Sequence, residues 1–349
     1  MSYCAGWKHK GSVYLLADTV SSVQIPPRRQ QISLGELLTE HHDEPIEEPA
    51  LKLVRIAPGA VAACTGDAGS VSRLLEFLQA NHAGVTNNGE LLSLLDVSLG
   101  PFSDAKPVSL LLASSGSDGA CELLRWTSPG GLDTTGSDLL QIGDPTPFHT
   151  ALSPEILSIL AAADPSPERM LPVLTAIVQS RGVSENSSDL NVNGLIFGVH
   201  TGLGVATWQG DTLVLLYDQA FASPAHVAVQ ARSDELVVHA SHDAATRVFV
   251  PLPSNHRRAP REACWLRGIQ DELAADRFRF RVFISTCEQV ITLIIRNDFE
   301  RESGYVRLKR KSNGQFDFSL SPEMTSLLLR PLEDRSQGSV PLRLSLRED

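Results

Sequence analysis

The stretch Ser2-Tyr3-Cys4-Ala5-Gly6-Trp7-Lys8-His9-Lys10-Gly11-Ser12-Val13-Tyr14-Leu15-Leu16-Ala17-Asp18 reads as two short strands around a Lys10-Gly11 turn. The second strand ends on a carboxylate. Removal of Met1 is expected because serine is a small second residue, and it would leave a hydroxyl and a free α-amine on Ser2. A nucleophile and its base would then share one backbone position. Working outward, Leu51-Lys52-Leu53-Val54-Arg55-Ile56 is followed by Gly59 and a small-residue run, Ala60-Val61-Ala62-Ala63-Cys64-Thr65-Gly66-Asp67-Ala68-Gly69. Beyond Gly66, Val71, Leu74, Leu75, Phe77 and Leu78 recur at helical spacing.

The pattern continues in alternating blocks. A second helix is expected around residues 90–97, strands at 108–113, 121–126 and 139–142, helices at 154–162 and 167–180, and strands at 194–199, 204–208 and 212–217. The order and spacing of these elements, from Ser2 to about residue 218, resemble the proteasome β-type and HslV-like subunits of the N-terminal-nucleophile hydrolases. The resemblance implies an α+β fold, a four-layer αββα sandwich, followed by a smaller α+β C-terminal domain. No family is evident for the remainder of the chain.

The resemblance also implies roles. Ser2 would be the nucleophile and its α-amine the general base, with an unperturbed pKa near ~7.7 to 8.0. Lys52 would stand beside the hydroxyl as a fixed cation, and Asp18 would pair with Lys52 and hold it. The Gly66 N–H would stabilise the tetrahedral intermediate. Cys64 and Ala68 fall where the family lines the pocket for the substrate side chain, and Ser21 and Ser22 fall on the edge that pairs with an extended peptide. Two further positions depart from the family pattern. Asp144, in Ile142-Gly143-Asp144-Pro145, stands where the family has a serine contacting the α-amine. Asp189, in Asp189-Leu190-Asn191-Val192-Asn193-Gly194, lies one residue farther than usual from the small-residue turn it precedes, so either a bulge corrects it or Asn191 and Asn193 take over. The connection from Ser22 to Lys52 is longer than the family needs and carries an acidic run at residues 40–48.

Composition bounds the alternatives. The 349 residues are 42% hydrophobic and 20% charged, and no apolar run approaches the ~18 residues of a membrane span. The start of the chain has no signal-peptide pattern, and the five cysteines show no paired metal spacing, so a reducing, cytoplasmic setting without cofactor or metal is expected. Residues 1–220 hold 11 Lys+Arg against 24 Asp+Glu, whereas residues 221–349 hold 19 against 17. That shift places an expected domain boundary close to residue 220.

In the second half, strands are expected at 227–231, 235–239 and 246–250, then a helix at 266–275. Residues 277–283 alternate Arg and Phe, which puts aromatics on one strand face and arginines on the other. Residues 291–296 and 305–308 are candidates to pair with that strand. Nearly balanced charge argues against nucleic acid as a partner despite Arg307, Lys309, Arg310 and Lys311. A partner-binding or assembly module is the plainer expectation.

Two classes of function follow. One is a peptidase acting on polypeptide in a homo-oligomeric ring fed by a partner ATPase unfoldase, with an amidase acting on a small amide as its variant. The other is a non-catalytic assembly or sensor protein of the same fold. Ring formation with slow peptide turnover marks the first, and a monomer acting on one small amide marks its variant.

Overall fold

The computed structural model describes residues 3–19, 21–22, 46–47, 51–81, 89–90, 93–94, 107–116, 118–128, 130–133, 137–143, 166–184, 195–217, 225–232, 235–240, 246–249, 275–285, 289–311, 316–328 and 342–349, with single positions 154, 156, 158, 160 and 271. Within these residues the protein is mixed α and β, mostly sheet with few helices.

The opening hairpin forms as the sequence suggests. Strands β1 (Tyr3–His9) and β2 (Ser12–Asp18) pair antiparallel from Cys4 opposite Ala17 to His9 opposite Ser12. Lys10 and Gly11 both take positive φ, 47° and 74°, as a two-residue turn matched to strand twist requires. After the two-residue pair β3 (Ser21–Ser22) and β4 (Ile46–Glu47) come β5 (Leu53–Ala57), β6 (Ala60–Gly66) and helix α1 (Ala68–Asn81). Next are β7 (Val108–Ser115), β8 (Cys121–Ser128), β9 (Gly131–Asp133) and β10 (Leu139–Gly143), then α2 (Pro167–Ser184), β11 (Ile196–Gly202) and β12 (Val205–Trp208).

These strands make two five-stranded sheets, ordered β10-β1-β2-β11-β12 and β5-β6-β7-β8-β9. Alternation along β6 and β7 decides the packing. Val61, Ala63, Leu111 and Ala113 meet the first sheet in one core, while Ala62, Cys64, Leu110 and Leu112 meet α1 in another. Helix α1 supplies Val71, Leu74, Leu75 and Leu78 to that second core. Its start is fixed by Asp67, whose Oδ1 accepts from both the backbone N–H and the hydroxyl of Ser70 at 3.1 Å.

Helix α2 packs on β2 and β11 of the first sheet and, on its other side, against a third sheet. Its residues from Met170 to Ser180 are all buried. A helix buried all round needs a cover on both sides. That cover is seven-stranded, ordered β16-β15-β14-β13-β17-β18-β21. Its members are β13 (Thr212–Tyr217), β14 (Ala225–Arg232), β15 (Glu235–Ala240), β16 (Thr246–Phe249), β17 (Phe280–Ser285), β18 (Val290–Ile295) and β21 (Arg343–Glu348). A separate pair, β19 (Val306–Arg310) and β20 (Phe316–Leu320), and α3 (Pro322–Leu328) complete the described elements.

The expected strand at 212–217 is β13, which pairs with β14 and, in parallel, with β17. Two expectations are corrected. First, the 277–283 alternation does not give an arginine face. The strand begins at Phe280, and Arg281 is fully buried, with its guanidinium 2.5 Å from Asp276 Oδ2. Second, 305–308 does not pair with that strand, because β19 takes β20 as its partner. Of the expected helix at 154–162, positions 154, 156, 158 and 160 are helical, and Ile156 and Leu160 are buried. At 90–97, Glu90, Ser93 and Leu94 are helical. The expected helix at 266–275 lies almost wholly outside the described residues.

Candidate functional site

At one end of the two five-stranded sheets, β2 ends on Asp18, and Lys52 leads into β5. The two residues are 34 positions apart in sequence, yet Lys52 Nζ donates to Asp18 Oδ1 at 2.6 Å. Their side chains are 7% and 0% exposed. The same Oδ1 accepts the backbone N–H of Tyr3 at 2.9 Å. Oδ2 of Asp18 is buried without a hydrogen-bond partner among the described residues. Burial pushes the Asp18 carboxyl up from its ordinary value, while the Lys52 charge, its hydrogen bond and the Tyr3 N–H pull it back.

The pair is held by its strands. Tyr3 lies opposite Gly143 at the end of β1, and Asp18 lies opposite Ile196 of β11. Thr19, fully buried, accepts the N–H of Leu195 on its hydroxyl at 3.0 Å. The Lys52 carbonyl accepts the N–H of Cys64 at 3.2 Å, which ties the lysine's backbone to β6.

Gly66 ends β6 with φ of 121° and is exposed beside the start of α1. A Cβ there would meet the Pro107 carbonyl oxygen at 2.4 Å, so glycine is needed for conformation and for space. Ala68 is exposed on the first turn of α1. Cys64, by contrast, is only 3% exposed and packs in the core under α1 with Val71 and Leu74. Ser21 and Ser22 sit on β3, opposite Glu47 and Ile46. Ser2, Asp144 and Asp189 lie outside the described residues.

Several participants were not identified from sequence. The Tyr3 N–H is a backbone donor and carries no side-chain signal. Cys4, buried on β1, has its thiol pushed well up by burial, with the Lys52 charge opposing that. Its Sγ donates to the Cys64 carbonyl at 3.8 Å across the two sheets. Thr19 follows Asp18 directly, and only the fold shows that it reaches β11.

No family model matches the sequence, and no curated protein matches it. Among solved structures, the crystal structure of eukaryotic HslV from Trypanosoma brucei is similar at 16% identity and a TM-score of 0.39, over 57% of this chain and 98% of that chain. Likeness at that level assigns no activity to this chain.

Proposed function

We propose that this chain is a proteasome-like N-terminal-serine hydrolase, built on a four-layer αββα sandwich, that cleaves peptide bonds through Ser2 after loss of Met1. The observation that carries this reading is the buried Lys52–Asp18 pair, in which Asp18 also binds the N–H of Tyr3. Ser2 is bonded directly to that Tyr3 nitrogen, so the candidate nucleophile is one covalent link from the pair.

In this reading the α-amine of Ser2 takes the hydroxyl proton as Oγ attacks the substrate carbonyl. Lys52 favours negative charge developing on Oγ, and Asp18 fixes the lysine. The Gly66 N–H receives the oxyanion. Collapse releases the amine product and leaves an ester on Ser2, which water hydrolyses with the same amine as base. Asp144 contacts the α-amine. Asp189 fills the polar position ahead of the turn at Gly194 through a bulge, or else Asn191 and Asn193 fill it. Ser21 and Ser22 pair with an extended peptide, and Ala68 lines the side-chain pocket over Cys64. The assembly is a homo-oligomeric cytoplasmic ring that receives unfolded polypeptide from a partner ATPase. The seven-stranded sheet and the elements around it serve as the assembly module.

The test is intact mass and N-terminal sequence of the purified protein, followed by treatment with a peptide epoxyketone, which needs a hydroxyl and a free α-amine on one residue. The expected result is a chain starting at Ser2 that gains one inhibitor mass there, with turnover abolished in Ser2→Ala. A chain that keeps Met1 overturns the reading in favour of a non-catalytic assembly role, and a Ser2→Ala protein with undiminished turnover, free of contaminating peptidases, overturns the Ser2 mechanism.

A further inference from the structure

The strand that faces Asp18 is not fully paired on its outer side. Among the described residues, β12 accompanies β11 from Gly202 back to Val199, opposite Trp208, and the last backbone bond on that side runs from the Gln209 N–H to the Gly198 carbonyl at 2.9 Å. Ile196, the residue directly across from Asp18, lies beyond that end. Its N–H donates instead to Gln179 Oε1 of α2 at 2.9 Å. A buried amide left without an acceptor is costly, so Gln179 stands in for the missing strand. Together with the Thr19 hydroxyl on the Leu195 N–H, it pins both backbone donors at the start of β11.

Gln179 belongs to the helix that the third sheet holds. Glu168 of α2 accepts from Arg279 at 3.0 Å, Arg169 donates to Glu348 at 2.5 Å, and Arg181 donates to Gln289 at 3.4 Å. Beside the Gln179 amide is a cavity of about 10 Å³ whose far wall is Val214, Val229, Val282 and Ile284, all from the seven-stranded sheet. The helix that carries Gln179 is thus tied to the third sheet near both of its ends, and the Gln179 side chain binds the strand opposite Asp18.

We propose that Gln179 is a positioning residue for the Asp18–Lys52 site and the link through which the seven-stranded sheet acts on it. The effect on turnover rests on the hydrolase reading above, whereas the effect on Asp18 does not. Moving β11 displaces the carboxylate that orients Lys52, and small displacements of catalytic groups are felt mainly in the chemical step.

The experiment compares the full chain with Gln179→Met, which keeps length and loses the acceptor, and Gln179→Glu, which restores an acceptor oxygen. Three quantities are read: hydrogen exchange at the Ile196 amide in the unaltered protein, the titration midpoint of the Asp18 carboxyl by carbon-13 NMR, and kcat and KM on a peptide amide. The expected results are an Ile196 amide as protected as that of Val199, an Asp18 midpoint that moves in Gln179→Met and returns in Gln179→Glu, and kcat lowered about tenfold with KM unchanged in Gln179→Met. A folded Gln179→Met protein with the Asp18 midpoint unmoved overturns the proposal. If that variant does not fold, rapid exchange at Ile196 in the unaltered protein overturns it, and protection there supports it. Where Ser2 takes no epoxyketone and no turnover exists, the hydrolase reading fails by itself, and the Asp18 midpoint still decides the role of Gln179.

Discussion

Lys52 Nζ and Asp18 Oδ1 meet at 2.6 Å across two different sheets, with almost no solvent on either side chain. Two charges removed from water in this way are costly to form and more costly to separate. The pair is therefore a structural commitment as well as a candidate reaction centre, and its variants report on both.

Asp18→Ala removes the buried carboxylate that the Lys52 ammonium and the Tyr3 N–H share. The expected loss is ~3 to 5 kcal/mol of stability. Urea unfolding followed by circular dichroism measures it, and a change under 1 kcal/mol contradicts the burial of the pair.

Lys52→Met strands the carboxylate instead, and here the sign of the pH dependence is informative. Burial already raises Asp18 from its ordinary value, and without the Lys52 charge the rise is larger. A carboxyl whose folded pKa lies above its unfolded value of ~3.9 contributes stability that is present below that value and lost as pH rises through the folded pKa. Relative to the unaltered protein, Lys52→Met should therefore be least stable near neutrality and recover toward acid pH. Thermal melts between pH 4.5 and 7.5 check this, with turnover absent throughout.

Gly66→Ala and Gly11→Ala separate crowding from conformation. Both glycines have positive φ, but an added Cβ meets Pro107 O at 2.4 Å at position 66 and nothing within 4 Å at position 11. Gly11→Ala should cost about 1 kcal/mol for its left-handed backbone. Gly66→Ala should cost more, roughly 1 to 3 kcal/mol with the clash added, and should lower kcat if its N–H serves the oxyanion. Equal melting temperatures for the two variants contradict the close approach of Pro107.

Arg281→Met tests the buried ion cluster of the third sheet. Arg281 is fully buried, donates to Asp276 Oδ2 at 2.5 Å and to the Val306 carbonyl at 2.9 Å, and lies 3.8 Å from Asp349. Burial pushes the Asp276 carboxyl up, with the neighbouring arginines opposing. Its removal should cost ~3 to 5 kcal/mol by denaturant unfolding. Turnover per folded molecule should be unchanged, because Arg281 pairs with Leu213 and Ile294 in register, residues of the core on the face away from α2.

Much of the first half was legible because its information is local. A period of two along residues 3–18, 60–66 and 108–115 marks strands whatever they pair with, Lys10-Gly11 marks a tight turn, and the apolar spacing from Val71 to Leu78 marks α1. The site was legible only in part. Asp18 and Lys52 stood out by type and order, whereas the Tyr3 N–H, Thr19 and Gln179 entered through backbone contacts that leave no pattern in composition.

The sequence by itself determined most strands of the two five-stranded sheets, though not β9, together with helix α1 and the order in which Asp18 and Lys52 follow the opening strands. Tertiary structure alone decided that β13 joins the seven-stranded sheet, that α2 is enclosed between that sheet and the first five-stranded one, that Arg281 faces a buried carboxylate, and that Ile196 is held by a helix. The physical reason is that side-chain periodicity is written residue by residue, whereas the partner of a strand edge or a buried charge is chosen among segments far apart in the chain. That choice is made by whichever arrangement satisfies every buried donor, acceptor and charge at once.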